Sequence, residues 1–322
     1  MKRKKVIIDC DPGIDDSLAL MLALTSPELE VLGITIAPGN VEVEKGYKNT
    51  LKTLQILNRL DIPVYKGEDK PLSRELQTAY ETHGQDGLGE NHYPLVKIQD
   101  REETAVDFIL NTLQTTHQVS IIALGPLTNI AVALISNPEA FLNLEEFVSM
   151  GGCFKSYGNC SPVAEYNYWV DPEGAKYVYE NLPTKIHMVG LDVTRKIVLT
   201  PNMMSLIHRC PSEKGKFIEE ITRFYMDFHW KYEKIIGCVI NDPLAVLYFI
   251  DRSICQGIDA YTTLEIHGIC RGQSVVDEMN FWKKKPNTCV LTKVDQKRFF
   301  REFFLRVLNA DETFLKLLEG MI

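Results

Sequence analysis

Short apolar, β-branched runs that alternate with helical patterns predict an α/β fold. The expected form is a largely parallel central sheet flanked by helices, with extra C-terminal helices and a small antiparallel excursion. The alternation holds from residue 5 to residue 192 with no Ser/Gly/Pro-rich linker, repeat or low-complexity tract, so one domain over residues 1–322 is expected. A dense acidic stretch, "DCDPGIDD", follows the first apolar run, where a parallel sheet opens its ligand crevice.

In order, residues 5–9 read as a strand and 16–26 as a helix; 31–36 is the next strand. Residues 42–60 are helical, with Leu51, Leu54, Ile56, Leu57 and Leu60 at helical spacing. A short strand at 62–67 precedes a polar loop and a helix at 105–116. Strands at 119–125 and 146–152 bracket a helix at 127–136, and a helix at 172–181 leads to a strand at 185–192. Beyond Thr194 the pattern turns helical at 201–209, 213–234 and 243–250. The less regular residues 258–293 form the antiparallel excursion, and residues 295–310 a terminal helix.

Net charge is −8, from 43 acidic against 35 basic residues, and no Lys/Arg stripe is interleaved with aromatics, which argues against nucleic-acid binding. No apolar stretch approaches the roughly 20 residues of a membrane span. The basic opening "MKRKK" is followed by only "VII" before Asp9, short of the about 7–15 apolar residues of an export signal. Eight cysteines without a CxxC pair read as reduced, mostly buried thiols of a cytoplasmic protein.

Asp9 and Asp11 share a face if the segment is extended, Pro12-Gly13 turns the chain, and Asp15 and Asp16 fall near the start of the next helix. Helix capping accounts for one or two of these aspartates. Four together repel one another unless a cation intervenes. With no paired His or Cys nearby, oxygen-only donors point to a hard ion, Ca²⁺ or Mg²⁺.

"DCDPGIDD" resembles the signature of the nucleoside N-ribohydrolases, the inosine-uridine preferring nucleoside hydrolase family. "GITIAPGN", "THGQDGLG", "IIALGPLTNIA", "VSMGG", "GNCSPVAEYNYWVDPEGA", "MVGLDVT" and "NDPLAV" agree in order and spacing over some 240 residues. The resemblance implies a Rossmann-like nucleoside hydrolase fold, a ribonucleoside substrate and calcium-dependent hydrolysis of its N-glycosidic bond to free base and ribose. A homo-oligomer, dimer or tetramer, is the expected assembly.

The resemblance also implies roles. Asp11, Asp16, Asp242 and the carbonyl of Leu124 become calcium ligands, and Asp11 the general base. Asp242 also reads as an N-cap before Pro243. Asp15, Asn40, Asn159, Glu165 and Asn167 become ribose contacts, and His83 a pocket histidine on a mobile loop. Asp9 is expected to support the cluster. One departure stands out: Asn241 occupies the place of the histidine regarded as the acid that protonates the departing base. Asn hydrogen-bonds but is no acid. His229, Trp230 and Tyr232 are the candidates to replace it, although core packing is the ordinary reading of each.

Two other functions compete. A nucleoside-binding or weakly active homologue is suggested by Asn241, but binding alone does not need Asp11. A metal-dependent phosphohydrolase expects a phosphate cradle of Lys, Arg or Gly-rich backbone, which the matched segments lack.

Overall fold

The computed structural model describes residues 3–99, 101–209 and 212–321. Its strands are β1 (Lys4–Cys10), β2 (Leu29–Ile36), β3 (Val64–Lys66), β4 (Val119–Ala123), β5 (Leu144–Met150), β6 (Ile186–Val189), β7 (Val198–Leu199), β8 (Cys238–Val239), β9 (Cys255–Leu264), β10 (Ser274–Asp277) and β11 (Thr288–Val294). Nine of them form one sheet in the order β10-β9-β11-β6-β5-β4-β1-β2-β3, parallel from β11 to β3, while β7 and β8 pair separately and antiparallel.

The helices are α1 (Ile14–Thr25), α2 (Val43–Ile56), α3 (Tyr80–His83), α4 (Ala105–Thr115), α5 (Thr128–Ser136), α6 (Tyr166–Val170), α7 (Pro172–Asn181), α8 (Leu191–Thr194), α9 (Pro201–His208), α10 (Glu213–Phe228), α11 (Asp242–Ile250), α12 (Gln296–Leu308) and α13 (Glu312–Glu319). Strand geometry sends successive side chains to opposite faces. On β1, Val6 and Ile8 enter the core shared with α1, α2 and α9–α13, whereas Ile7 enters the core shared with α4, α5 and α7. Burial on both faces explains why β1 reads as a continuous apolar run rather than an alternation.

The predicted alternation is present, with local differences. The helix expected to reach Leu60 stops at Ile56: Asn58 turns left-handed (φ 55°), and Asn58 and Arg59 donate back to the carbonyls of Gln55 and Leu54. That pair of bonds closes the last turn and releases the chain. The antiparallel excursion does not stand apart, because β11 pairs antiparallel with β9 and parallel with β6, extending the main sheet. The strand expected over 185–192 ends at Val189, and Leu191 already begins α8. The long helix over 213–234 changes at Phe228 into one π turn, His229–Glu233, ended by left-handed Lys234. The described cysteines are unpaired; Cys10, Cys153, Cys238 and Cys255 are buried, Cys160 is exposed, and Cys210 lies outside the described residues. Among the described residues no helix is long and apolar enough to cross a membrane.

The first core is sealed by a phenylalanine run on α12. The fully buried ring of Phe300 meets Phe299 edge-on at 5.2 Å and stacks on Phe304 at 6.1 Å. Phe300→Ala therefore lowers stability by about 3–5 kcal/mol, to be read from the midpoint and slope of urea unfolding.

Candidate active site

Neighbours β2 and β4 flank β1 on opposite sides, so the order of connection reverses there. Open parallel sheets bind ligands in the crevice beyond such a reversal. Asp11 follows β1, Asn40 follows β2 and Leu124 follows β4. Two glycines let the backbone close on Asp11: a Cβ on Gly39 would lie 2.0 Å from its Oδ2, and one on Gly125 would lie 2.6 Å from its Oδ1.

Each aspartate of the cluster has its own donors. Asp9, fully buried, accepts from Thr35 Oγ1 (2.6 Å) and Asn129 Nδ2 (2.9 Å), leaving Oδ2 unpaired. Asp11 Oδ2 accepts from the Asn40 N–H (2.7 Å), whereas its buried Oδ1 has no partner. Asp16 accepts from the N–H groups of Asp11 and Gly13 and from Asn40 Nδ2, so it caps α1 as well as joining the cluster. Asp15 Oδ2 accepts from Tyr225 Oη (3.1 Å) and from Asn241 N and Nδ2 (3.3 and 3.0 Å). Asp242 is not an N-cap; it is the first residue of α11, after Asn241, and its carboxylate makes no capping bond. Asp15, Asp16 and Asp242 place one oxygen each within 4.8 Å of one another. Burial, then mutual repulsion, holds the carboxyls of Asp11 and Asp242 well above the usual range and pushes Asp16 up to about 7; burial alone raises Asp9 to about 7.

Above this floor lies a cavity enclosing about 680 Å³ of empty space, part of it open to solvent. Asp15, Asn40, His83, Leu124, Asn159, Glu165, Asn167, His229, Asn241 and Asp242 all line it. Asp9, Asp11 and Asp16 are buried and do not line it, and Asn40, which does, donates to the last two. Glu165 caps α6, accepting from the N–H groups of Asn167 (2.9 Å), Gly152 (2.8 Å) and Tyr168 (3.3 Å), while burial pushes its carboxyl up to about 7. Asn167 Nδ2 donates to the carbonyls of Leu124 (2.7 Å) and Met150 (3.1 Å). Asn159 stands at the exposed rim, its Oδ1 accepting from Tyr166 N (3.0 Å). His83 is not on an open loop: it ends the short helix α3, is buried, and accepts from the Ile14 N–H through Nδ1 (3.1 Å). Burial takes its pKa down to about 4, so the ring is neutral with its proton on Nε2.

The model of the "Inosine-uridine preferring nucleoside hydrolase" family matches residues 6–301. The chain belongs to this family. It is 38% identical over 299 residues to the "Pyrimidine-specific ribonucleoside hydrolase RihA" of Salmonella typhimurium, covering 91% of this chain and 95% of that one. Among solved structures it resembles the "Plant nucleoside hydrolase - PpNRh1 enzyme" (TM-score 0.91, 31% identity, 95% and 99% covered). It also resembles the "Purine-Preferring Ribonucleoside Hydrolase from Gardnerella vaginalis" (TM-score 0.90, 30% identity, 99% and 100% covered). The chain is thus a hydrolase of the N-glycosidic bond of ribonucleosides.

In this nucleoside hydrolase the candidates for a substitute acid separate. His229 opens the π turn, is buried and lines the cavity, but its Nδ1–H is committed to the Tyr225 carbonyl (2.8 Å). Burial lowers its pKa, which leaves a neutral ring and an unprotonated Nε2. Tyr232 is half exposed and reaches only an outer vestibule, packed against Phe228. Trp230 is 56% exposed and lines neither space, so core packing describes it as poorly as base contact does. Sequence reading missed Tyr225, one helical turn before His229, which bridges α10 to Asp15. It also missed Arg195, paired with Glu233 at the cavity mouth; neither had a motif to mark it.

Asp9, Asp16 and Glu165 titrate near pH 7 in the metal-free fold instead of near 4. The unfolded chain ionises them first, so their contribution to metal-free stability falls as pH rises from about 4 to about 7. A divalent cation offsets that penalty. The rise in Tm on adding it is therefore larger at pH 8 than at pH 5, as measured by thermal melts in added calcium and in EDTA.

Proposed function

We propose that this chain is a calcium-dependent ribonucleoside hydrolase in which Asp11 is the general base. The observation that carries the reading is Asp11 Oδ1, a buried carboxylate oxygen with no partner beside three converging carboxylates. The donors are all oxygen and one is orphaned, which fits a hard cation with six to eight oxygen ligands. Asp11, Asp16, Asp242 and the Leu124 carbonyl would hold it; the carbonyl's second lone pair remains after its bond from Asn167. When bound, calcium supplies the positive charge that lets these carboxylates ionise together and favours a deprotonated water.

The chain's own groups account for the rest. The Asn40 N–H on Oδ2 fixes the orientation of the Asp11 carboxylate, which is the group proposed to take a proton from the attacking water. Breaking the C1′–N bond builds oxocarbenium character on ribose, and a floor of carboxylates favours that charge. Asp15, Asn40, Asn159, Glu165 and Asn167, with His83, are the groups proposed to hold the sugar hydroxyls. The relatives' names divide between pyrimidine and purine substrates, so both kinds belong in the assay. Free cysteines throughout the described residues support a cytoplasmic setting.

A second reading, a nucleoside-binding, weakly active member of the family, is favoured by Asn241, whose Nδ2 is spent on Asp15 and Tyr225 and which is no acid. Ribose release from inosine or uridine decides between them: calcium-dependent release supports the hydrolase, and tight binding without release supports the binder. Asp11→Asn should lower kcat about 10²–10⁴-fold in a reducing-sugar assay, and near-normal turnover in that variant removes Asp11 from the role of base.

A further inference from the structure

We infer that the Arg195 guanidinium is the electrophile that stabilises the departing base, standing in for the acid that Asn241 does not supply. This rests on the hydrolase reading above and adds a residue to it. The cavity and the outer vestibule meet at a neck that Arg195, Glu233, Phe228, Asn159 and Tyr166 share. Among the described residues, Arg195 is the one Lys or Arg that lines the inner cavity.

Its position is held from three sides. Nη1 donates to Glu233 Oε2 (2.9 Å), Nη2 donates to the Gly158 carbonyl (3.0 Å), and the Tyr157 ring centroid lies 3.9 Å from Cζ. A guanidinium carries five N–H donors, and these bonds use two; Nε is buried with no partner at all. The side chain is 13% exposed, so a charge there acts in a poorly solvated setting where a fixed donor is worth most. Glu233 closes the π turn that His229 opens, and π turns often mark functional sites.

The donors of Asn241, Tyr225, His229 and His83 are committed or of the wrong kind. Asn241 Nδ2 is spent on Asp15 and Tyr225, and Tyr225 Oη on Asp15. His229 presents an unprotonated nitrogen, and His83 lies against Gly13 beside the carboxylate floor. The floor of the cavity therefore carries carboxylates, where ribose gains positive charge, and the neck carries the Arg195–Glu233 ion pair, whose guanidinium is the cation within reach of the negative charge gained by the base.

The step balances without an acid. The water oxygen bonds C1′ as its proton passes to Asp11, and the C1′–N bond breaks with its electron pair moving to the base nitrogen. The base leaves as an anion paired with Arg195 and takes a proton from solvent after release.

The test compares kcat/KM for inosine and uridine with that for p-nitrophenyl riboside, whose leaving group is stable as an anion without help. Arg195→Met should lower the ratio of nucleoside to nitrophenyl activity by about 10²-fold, the usual loss of one fixed donor to a developing anion. Glu233→Gln removes the ion pair but keeps the guanidinium, and should hold the ratio within about threefold of wild type. If Arg195→Met lowers both activities equally, or Glu233→Gln collapses the ratio as Arg195→Met does, Arg195 is only a clasp and the inference is overturned. Should Arg195→Met fail to melt cooperatively, Arg195→Lys carries the test: it keeps charge but loses the fork, so the ratio falls about tenfold, and an unchanged ratio overturns the inference. A wild type that releases ribose from no nucleoside overturns the hydrolase reading instead.

Discussion

Burying carboxylates beside one another is expensive twice over, once for leaving water and again for mutual repulsion. Asp11, Asp16 and Asp242 carry both penalties, and Asp9 lies fully buried behind them. Much of the surrounding structure exists to make that tolerable. Thr35 and Asn129 hold Asp9, Asn40 holds Asp11 and Asp16, and Tyr225 with Asn241 holds Asp15. What these donors leave unmet at the cluster, the second oxygen of Asp11, is the part a cation would complete.

The sheet explains why the donors come from such distant parts of the chain. Strands β1, β2 and β4 end side by side, so the residues following them face one another although more than 80 residues separate Asn40 from Leu124. Gly39 and Gly125 have no side chain to keep these loops off Asp11. From the other direction α10 and α11 supply Tyr225, Asn241 and Asp242. The strand ends thus place Asp11 and Asn40, and the residues of α10 and at the start of α11 complete the acidic floor.

That division also separates the two halves of the chemistry. The carboxylates and amides proposed to face ribose are held by hydrogen bonds within the fold, as Glu165 is by three backbone N–H groups at the start of α6. At the neck, Glu233 belongs to the π turn and Arg195 to the end of α8, which packs on β11 and β6.

Local patterns by themselves determined the α/β architecture, because burial on both faces of a parallel sheet imposes apolar runs and the helices between them keep their own period. The acidic cluster was equally legible, since four aspartates so close together have no role in ordinary packing. Tertiary structure decided the remainder. Where α2 stops depends on left-handed Asn58, and the antiparallel strands join the main sheet through β11 and β6, a pairing across some hundred residues that no local pattern records. His83 read as a loop histidine but is buried, because its ring packs against the turn at Gly13. Trp230 and Tyr232 sit on a helical pattern that changes pitch at Phe228, which turns them outward while His229 stays inside. Arg195 and Glu233, 38 residues apart, acquire meaning only when α8 and the π turn meet, since an ion pair between remote residues leaves no spacing to read.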